Sequence, residues 1–183
     1  MKKIFSMAVI IFIIFTVTHY ILNYTCSGFT GSLILDNSIK KCVTHYGLVK
    51  LKNVKINKNT YVSGKIIAEN VMLNDIHING DIYLSHNSIV IGNTNINGSL
   101  ITSSSKFENP IYITTDKIEL NEGSTTKDIY IRKHSFIKRE EFVYIDSSTV
   151  NGNITFEGNL GRVILINGSI ITGKIFGGEI ITN

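Results

Sequence analysis

Two cysteines, five histidines and fourteen acids are the side chains through which this chain could act chemically. Cys26 and Cys42 have no histidine pair beside them and so make no zinc site. In an oxidising compartment they would close one short loop as a disulfide, contributing about 3 kcal/mol by the chain-entropy argument; the alternative is two unpaired thiols. His19, His45, His77, His86 and His134 are scattered, and His77, between Ile76 and Ile78, reads as an outward surface position. Acid pairs that cleave polysaccharide need a separation set by mechanism. Asp75 with Asp81, and Asp116 with Asp128, are the pairs a repeat scaffold would bring near one another across coils, although fourteen acids place some together by chance. There is no CxxC, no GxSxG turn and no glycine-rich phosphate loop. The reading is no catalytic, cofactor-binding or metal-binding residue, with a carbohydrate-active enzyme as the remaining catalytic alternative.

The elements that would carry these residues begin with a leader. Lys2 and Lys3 precede an apolar stretch from Ile4 to Leu22. As a helix, its 19 residues span about 28 Å, one bilayer core. It is expected to contact the membrane as a retained anchor. A signal cleaved after Ser27 is the alternative, and a lipidated Cys26 a third, which Asn23-Tyr24-Thr25 fits poorly. The two lysines predict a cytoplasmic start and an exported remainder, facing the periplasm or exterior or secreted. Net charge is +4, with 18 basic and 14 acidic residues. That is no footprint for nucleic acid. The one dense charge run, Arg132, Lys133, Lys138, Arg139, Glu140 and Glu141, is mixed in sign and reads as a solvated loop.

Beyond the leader the chain repeats itself. Residues 71–82 read VMLNDIHINGDI, 89–100 IVIGNTNINGSL, 143–154 VYIDSSTVNGNI and 164–175 ILINGSIITGKI. All four have apolar residues at window positions one, three, eight and twelve and Gly at ten. Residues 118–129 and 54–66 are degenerate copies. Positions one and three share a strand face, because side chains alternate. Val71, Leu73, Ile82, Ile89, Ile91, Leu100, Ile118, Leu120, Ile129, Val143, Ile145 and Ile154 are therefore expected to point inward. The glycine marks a bend or a crowded inward position, and Asn79, Asn97, Asn151 and Thr172 before it suit a corner or a polar stack. Successive copies end at Ile66, Ile82, Leu100, Ile129, Ile154 and Ile175. The shorter intervals suit a three-sided coil; the longer ones are read as insertions, at 102–109 and at 133–141. Almost no helix is expected after the leader.

This pattern resembles the bactofilins, a polymer-forming cytoskeletal family. The resemblance rests on Ile-Asn-Gly-Asp-Ile at 78–82, the kindred segments at 96–100, 150–154 and 166–170, and Ile118-Glu-Leu-Asn-Glu-Gly-Ser, and covers roughly residues 50–181. It implies a right-handed β-helix that polymerises end to end without nucleotide. The uneven intervals and the export-like leader depart from that family.

The expected architecture is all-β: a single-domain parallel β-helix following an N-terminal hydrophobic helix. Its parts are a signal or anchor at 1–26, a linker or N-terminal cap at 27–50, and a solenoid of roughly seven coils at 51–183. The expected role is a non-enzymatic scaffold of the cell envelope whose partner is itself, joined through an end formed by Phe176, Ile180 and Ile181. The alternative is an exported module that binds envelope protein or glycan, using loops around Ser103–Lys106 and Lys133–Glu141.

Overall fold

Alternating β-branched residues along most of the chain favour extended strands with one buried face. In the computed structural model, which describes Cys26, residues 28–134 and residues 139–181, twenty strands wind into one continuous parallel sheet. No helix occurs among the described residues, and none there is long and apolar enough to cross a membrane. The expected membrane segment at 4–22 lies outside the described residues.

The coil is three-sided. Side 1 holds inward ladders such as Val62–Ile78–Ile96–Ile113–Ile131–Phe156. Side 2 holds Leu33–Val49–Ile66–Ile82–Leu100–Ile118–Val143–Val163–Ile180. Side 3 holds Ile56–Leu73–Val90–Phe107 and, further along, Thr126–Val150–Ile171. The side 2 ladder counts nine coils, not seven, and about 4.8 Å per coil makes a rod about 38 Å between its first and last levels. The two extra coils come from the N-terminal side. β1 (Gly28–Lys40) and β2 (Val43–Ile56) already pair in full solenoid register, so the stretch expected as a linker or cap is rod.

Each corner has its own chemistry. Between sides 1 and 2, β2, β3 (Thr60–Glu69) and a later strand, Ile76–Ser85, run straight through glycines. Gly47, Gly64, Gly80 and Gly98 stack with φ of 125°, 145°, 138° and 145°. A Cβ on Gly80 would overlap the carbonyl of Gly64 below it, so only glycine stacks here. Between sides 2 and 3, residues in the left-handed region turn the chain: Asn53, Asn70, Asn87 and Ser104 at φ 52°, 49°, 60° and 47°, with His86 at 56° beside Asn87. Asn tolerates this conformation best among non-glycine residues. Asn70 Nδ2 donates to Asn53 Oδ1 at 2.7 Å, tying successive corners together. Just inside that corner lies a column of buried serines. Ser105 N donates to Ser124 Oγ at 3.3 Å, and Ser124 N to Ser148 Oγ at 3.1 Å.

Ten of the twelve residues expected inward are buried; Ile89 and Ile91 are not. Val90 is fully buried in their place, and Ile91 is 42% exposed. Met72 pairs with Ile89 while Ile76 pairs with Thr94, so the later coil carries one extra residue at the corner between them. A one-residue slip exchanges inner and outer faces. The same slip puts Val163, paired with Val143, inside, and leaves Ile166 on the surface.

The long intervals also resolve differently. Leu100 stacks on Ile118, not on Ile129. The windows at 71–82 and 143–154 start on different sides of the triangle, since Leu73 belongs to side 3 and Val143 to side 2. Residues 102–109 are no insertion: Thr102, Ser105 and Phe107 are buried parts of a regular coil. The true insertion lies between Ile131 and Glu141, where the ladder steps 25 residues from Ile118 to Val143.

Candidate functional site

The ends of the rod are where the coil-to-coil bonding of the described residues stops. At the C-terminal end Ile180 stacks on Val163 as the last inward residue of side 2, and remains 47% exposed. Leu165, Ile171 and Ile175 are partly buried around it and line a concavity of about 500 Å³. Phe176, above Thr155, and Ile181, above Ile164, lie instead on the outward columns of sides 1 and 2. At the other end Phe29 sits on the inward ladder below His45 yet is 65% exposed, and Leu33 and Leu35 are partly buried. Cys26 and Cys42 form a disulfide, with Cα atoms 5.2 Å apart and a sequence separation of 16. That is one coil, so the bond ties the first coil to the second.

The acids singled out for catalysis are split by the topology. Asp75 enters side 1 and Asp81 leaves it, with about 20 Å of chain path between them. Asp128 enters side 1 and Asp116 leaves it. Three of the four bind the coil above: Asp75 Oδ1 accepts Asn93 N at 2.7 Å, Asp81 Oδ1 accepts Ser99 N at 3.3 Å, and Asp128 Oδ1 accepts Asn153 N at 2.6 Å. Carboxylates spent on backbone amides hold coils in register. Among the histidines, His45 is buried and donates Nε2–H to the Gly31 carbonyl at 3.1 Å, and His86 contacts Ser85 Oγ at 2.9 Å. His19 lies outside the described residues.

One titratable cluster was not foreseen. Asp116, Glu141 and Glu157 occupy successive coils at the side 1–2 corner, after the glycine stack has ended. Glu141 is 3% exposed and its Oε2 has no partner among the described residues. Burial, and then the charges of Asp116 and Glu157, push its pKa up to about 7. Asp116 accepts from Arg139 Nη1 at 2.9 Å, and His134 Nε2 approaches it to 3.3 Å. No group of three or more metal-ligating side chains suited to an ion occurs among the described residues. Glu141 and Asp116 lie 25 residues apart in an uneven coil, so only the register could reveal their meeting.

Side 1 carries a second unforeseen feature. Its outward column runs Tyr61, His77, Asn95, Tyr112 and Tyr130. Tyr61 stacks on His77 at 4.7 Å and Tyr112 on Tyr130 at 5.0 Å. Arg132 lies over Tyr112 at 5.4 Å and donates Nη2–H to Asn95 Oδ1 at 3.0 Å. A neighbouring column holds Tyr46, Ser63, Asn79 and Asn97, and between the two runs a groove of about 350 Å³. The sequence signal was faint: aromatic residues 16 to 18 apart line up only once the coil length is known. Compared with known proteins, the chain matches no family model, and no curated protein and no solved structure is significantly similar to it.

Proposed function

We propose that this protein is a non-enzymatic scaffold rod of the cell envelope that associates with itself end to end. The observation that carries the reading is the half-exposed slice of apolar core at Ile180, Leu165, Ile171 and Ile175. Its counterpart at the other end is the exposed inward residue Phe29 on β1, whose outer edge pairs with no strand among the described residues. Exposed apolar core and open strand edges favour association. Stacking one rod on the next is a head-to-tail contact, which does not close and grows filaments. The Ile-Asn-Gly-Asp-Ile likeness to the bactofilins points the same way. An exported location follows from Lys2, Lys3 and the apolar stretch at 4–22, and the Cys26–Cys42 disulfide supports it, since such bonds persist in oxidising compartments.

The test is sedimentation and electron microscopy of the full chain in mild detergent. Filaments or concentration-dependent oligomers are expected, dispersed by Ile180→Lys; Phe176→Arg, on the outward column, should act more weakly. A strict monomer at high concentration would reject the proposal. For location, a reporter fused after Asn183 should be active outside the cytoplasm, and activity confined to the cytoplasm overturns that half of it.

A further inference from the structure

The groove on side 1 has walls of different kinds. One is aromatic, built from the Tyr61–His77 stack, while the exposed Tyr46 stands at the N-terminal end of the opposite wall. The other is a ladder of small polar groups, one per coil, including Asn79 and Asn97. Asn97 Nδ2 donates to Asn79 Oδ1 at 3.2 Å, which leaves the Asn79 amide N–H groups and the Asn97 carbonyl oxygen without a partner among the described residues. At the C-terminal end Arg132 lines the groove, hydrogen-bonded to Asn95 and placed over the Tyr112 ring. It faces no carboxylate within ion-pair distance among the described residues, unlike Arg139 and Arg162. From the level of Tyr46 to that of Asn97 the groove covers three coil steps, about 14 Å.

We propose that this groove binds an extended acidic oligosaccharide about three sugars long, with a uronate carboxylate at Arg132. The free N–H groups of Asn79 and the free carbonyl oxygen of Asn97, one coil apart, match hydroxyls recurring once per sugar ring, because both repeats are close to 5 Å (about 4.8 Å for the coil). Aromatic side chains offer apolar surface to the C–H faces of sugar rings. A guanidinium placed over a tyrosine ring and left without an anion among the described residues suits bidentate pairing with a carboxylate. A peptide strand does not fit: the groove floor is a sheet face whose backbone groups are already paired between coils, so no free edge is offered. Nucleic acid needs several cations along the path, and Arg132 is the sole Lys or Arg lining this groove among the described residues.

The test is calorimetric titration of the full chain with trigalacturonic acid, and with cellotriose as the neutral probe of equal length. Saturable binding of the acid is expected, at least tenfold tighter than the neutral sugar. Arg132→Gln should remove that preference, and the double change Asn79→Ala with Asn97→Ala should weaken both sugars at least tenfold. Lys55→Ala, on side 3, should change neither. Arg132→Lys keeps the charge and should retain part of the preference, which separates a binding role from a structural one if Arg132→Gln lowers the melting temperature. No saturable binding of either sugar at millimolar concentration would overturn the proposal. So would equal affinity for the two, or affinity unchanged in both Arg132→Gln and the double variant.

Discussion

Gly80 and Gly31 both have positive φ, 138° and 109°, but only Gly80 has a neighbouring carbonyl where a Cβ would go. Backbone strain alone is on the order of 1–3 kcal/mol. Gly80→Ala should therefore destabilise by more than Gly31→Ala, read as a larger drop in the urea midpoint at unchanged slope. Equal costs would mean that the stack relaxes freely. Glu141 makes a prediction of the opposite kind. Its folded pKa of about 7 lies above the ordinary value of 4.5, so the fold prefers the protonated acid. That contribution is intact below about pH 4.5 and is lost as pH rises through about 7. The melting temperature should fall across that window, and Glu141→Gln should flatten the fall. An unchanged slope in the variant would assign the pH dependence elsewhere.

At the level of a strand, the slip around residue 90 can be read by mutation. Val90 is fully buried on side 3 and Ile91 is 42% exposed at the following corner. Val90→Asp places an unpaired charge in the core and should cost more than about 3 kcal/mol, while Ile91→Asp should stay within about 0.5 kcal/mol. The reverse order would restore the pairing expected from the repeat window. The serine column is a second strand-level device. Ser124 Oγ donates to the Asn121 carbonyl at 2.7 Å and accepts from Ser105 N. Ser124→Ala leaves the buried Ser105 amide unpaired, while the Asn121 carbonyl keeps the backbone amides of Ser104 and Ser124, and should cost about 1–3 kcal/mol in chemical unfolding.

A solenoid is close to one-dimensional, because each coil touches only its neighbours, so perturbations at one end stay there. The disulfide joins the first two coils across a 16-residue loop, and its loss in Cys42→Ser should weaken that end by about 3 kcal/mol. Hydrogen exchange should rise in β1 and the start of β2, and stay unchanged in the strands Ile111–Thr114 and Ile129–Ile131. Uniform deprotection along the rod would mean that the coils unfold as one cooperative unit. The same locality separates the two proposals: Ile180 at the C-terminal end and Arg132 on side 1 lie on different surfaces, so filament formation and sugar binding should respond to different substitutions.

The parallel β-solenoid was legible in the sequence, because alternation of apolar residues such as Val143 and Ile145, or Ile118 and Leu120, depends only on side-chain geometry along one strand. The corner glycines at 80 and 98 were legible for the same local reason. What the chain by itself left undetermined was the stacking. Each side uses the same two-residue inward pattern, so a window beginning on side 3 at Val71 looks like one beginning on side 2 at Val143. Only hydrogen bonding between coils chooses among these phases, and it does so by admitting or omitting single residues at corners, as between Val90 and Thr94. The groove beside Tyr61 and His77, the meeting of Glu141 with Asp116, and the separation of Asp75 from Asp81 all depend on that choice. Each joins or divides residues through coil-to-coil register, which no local pattern encodes.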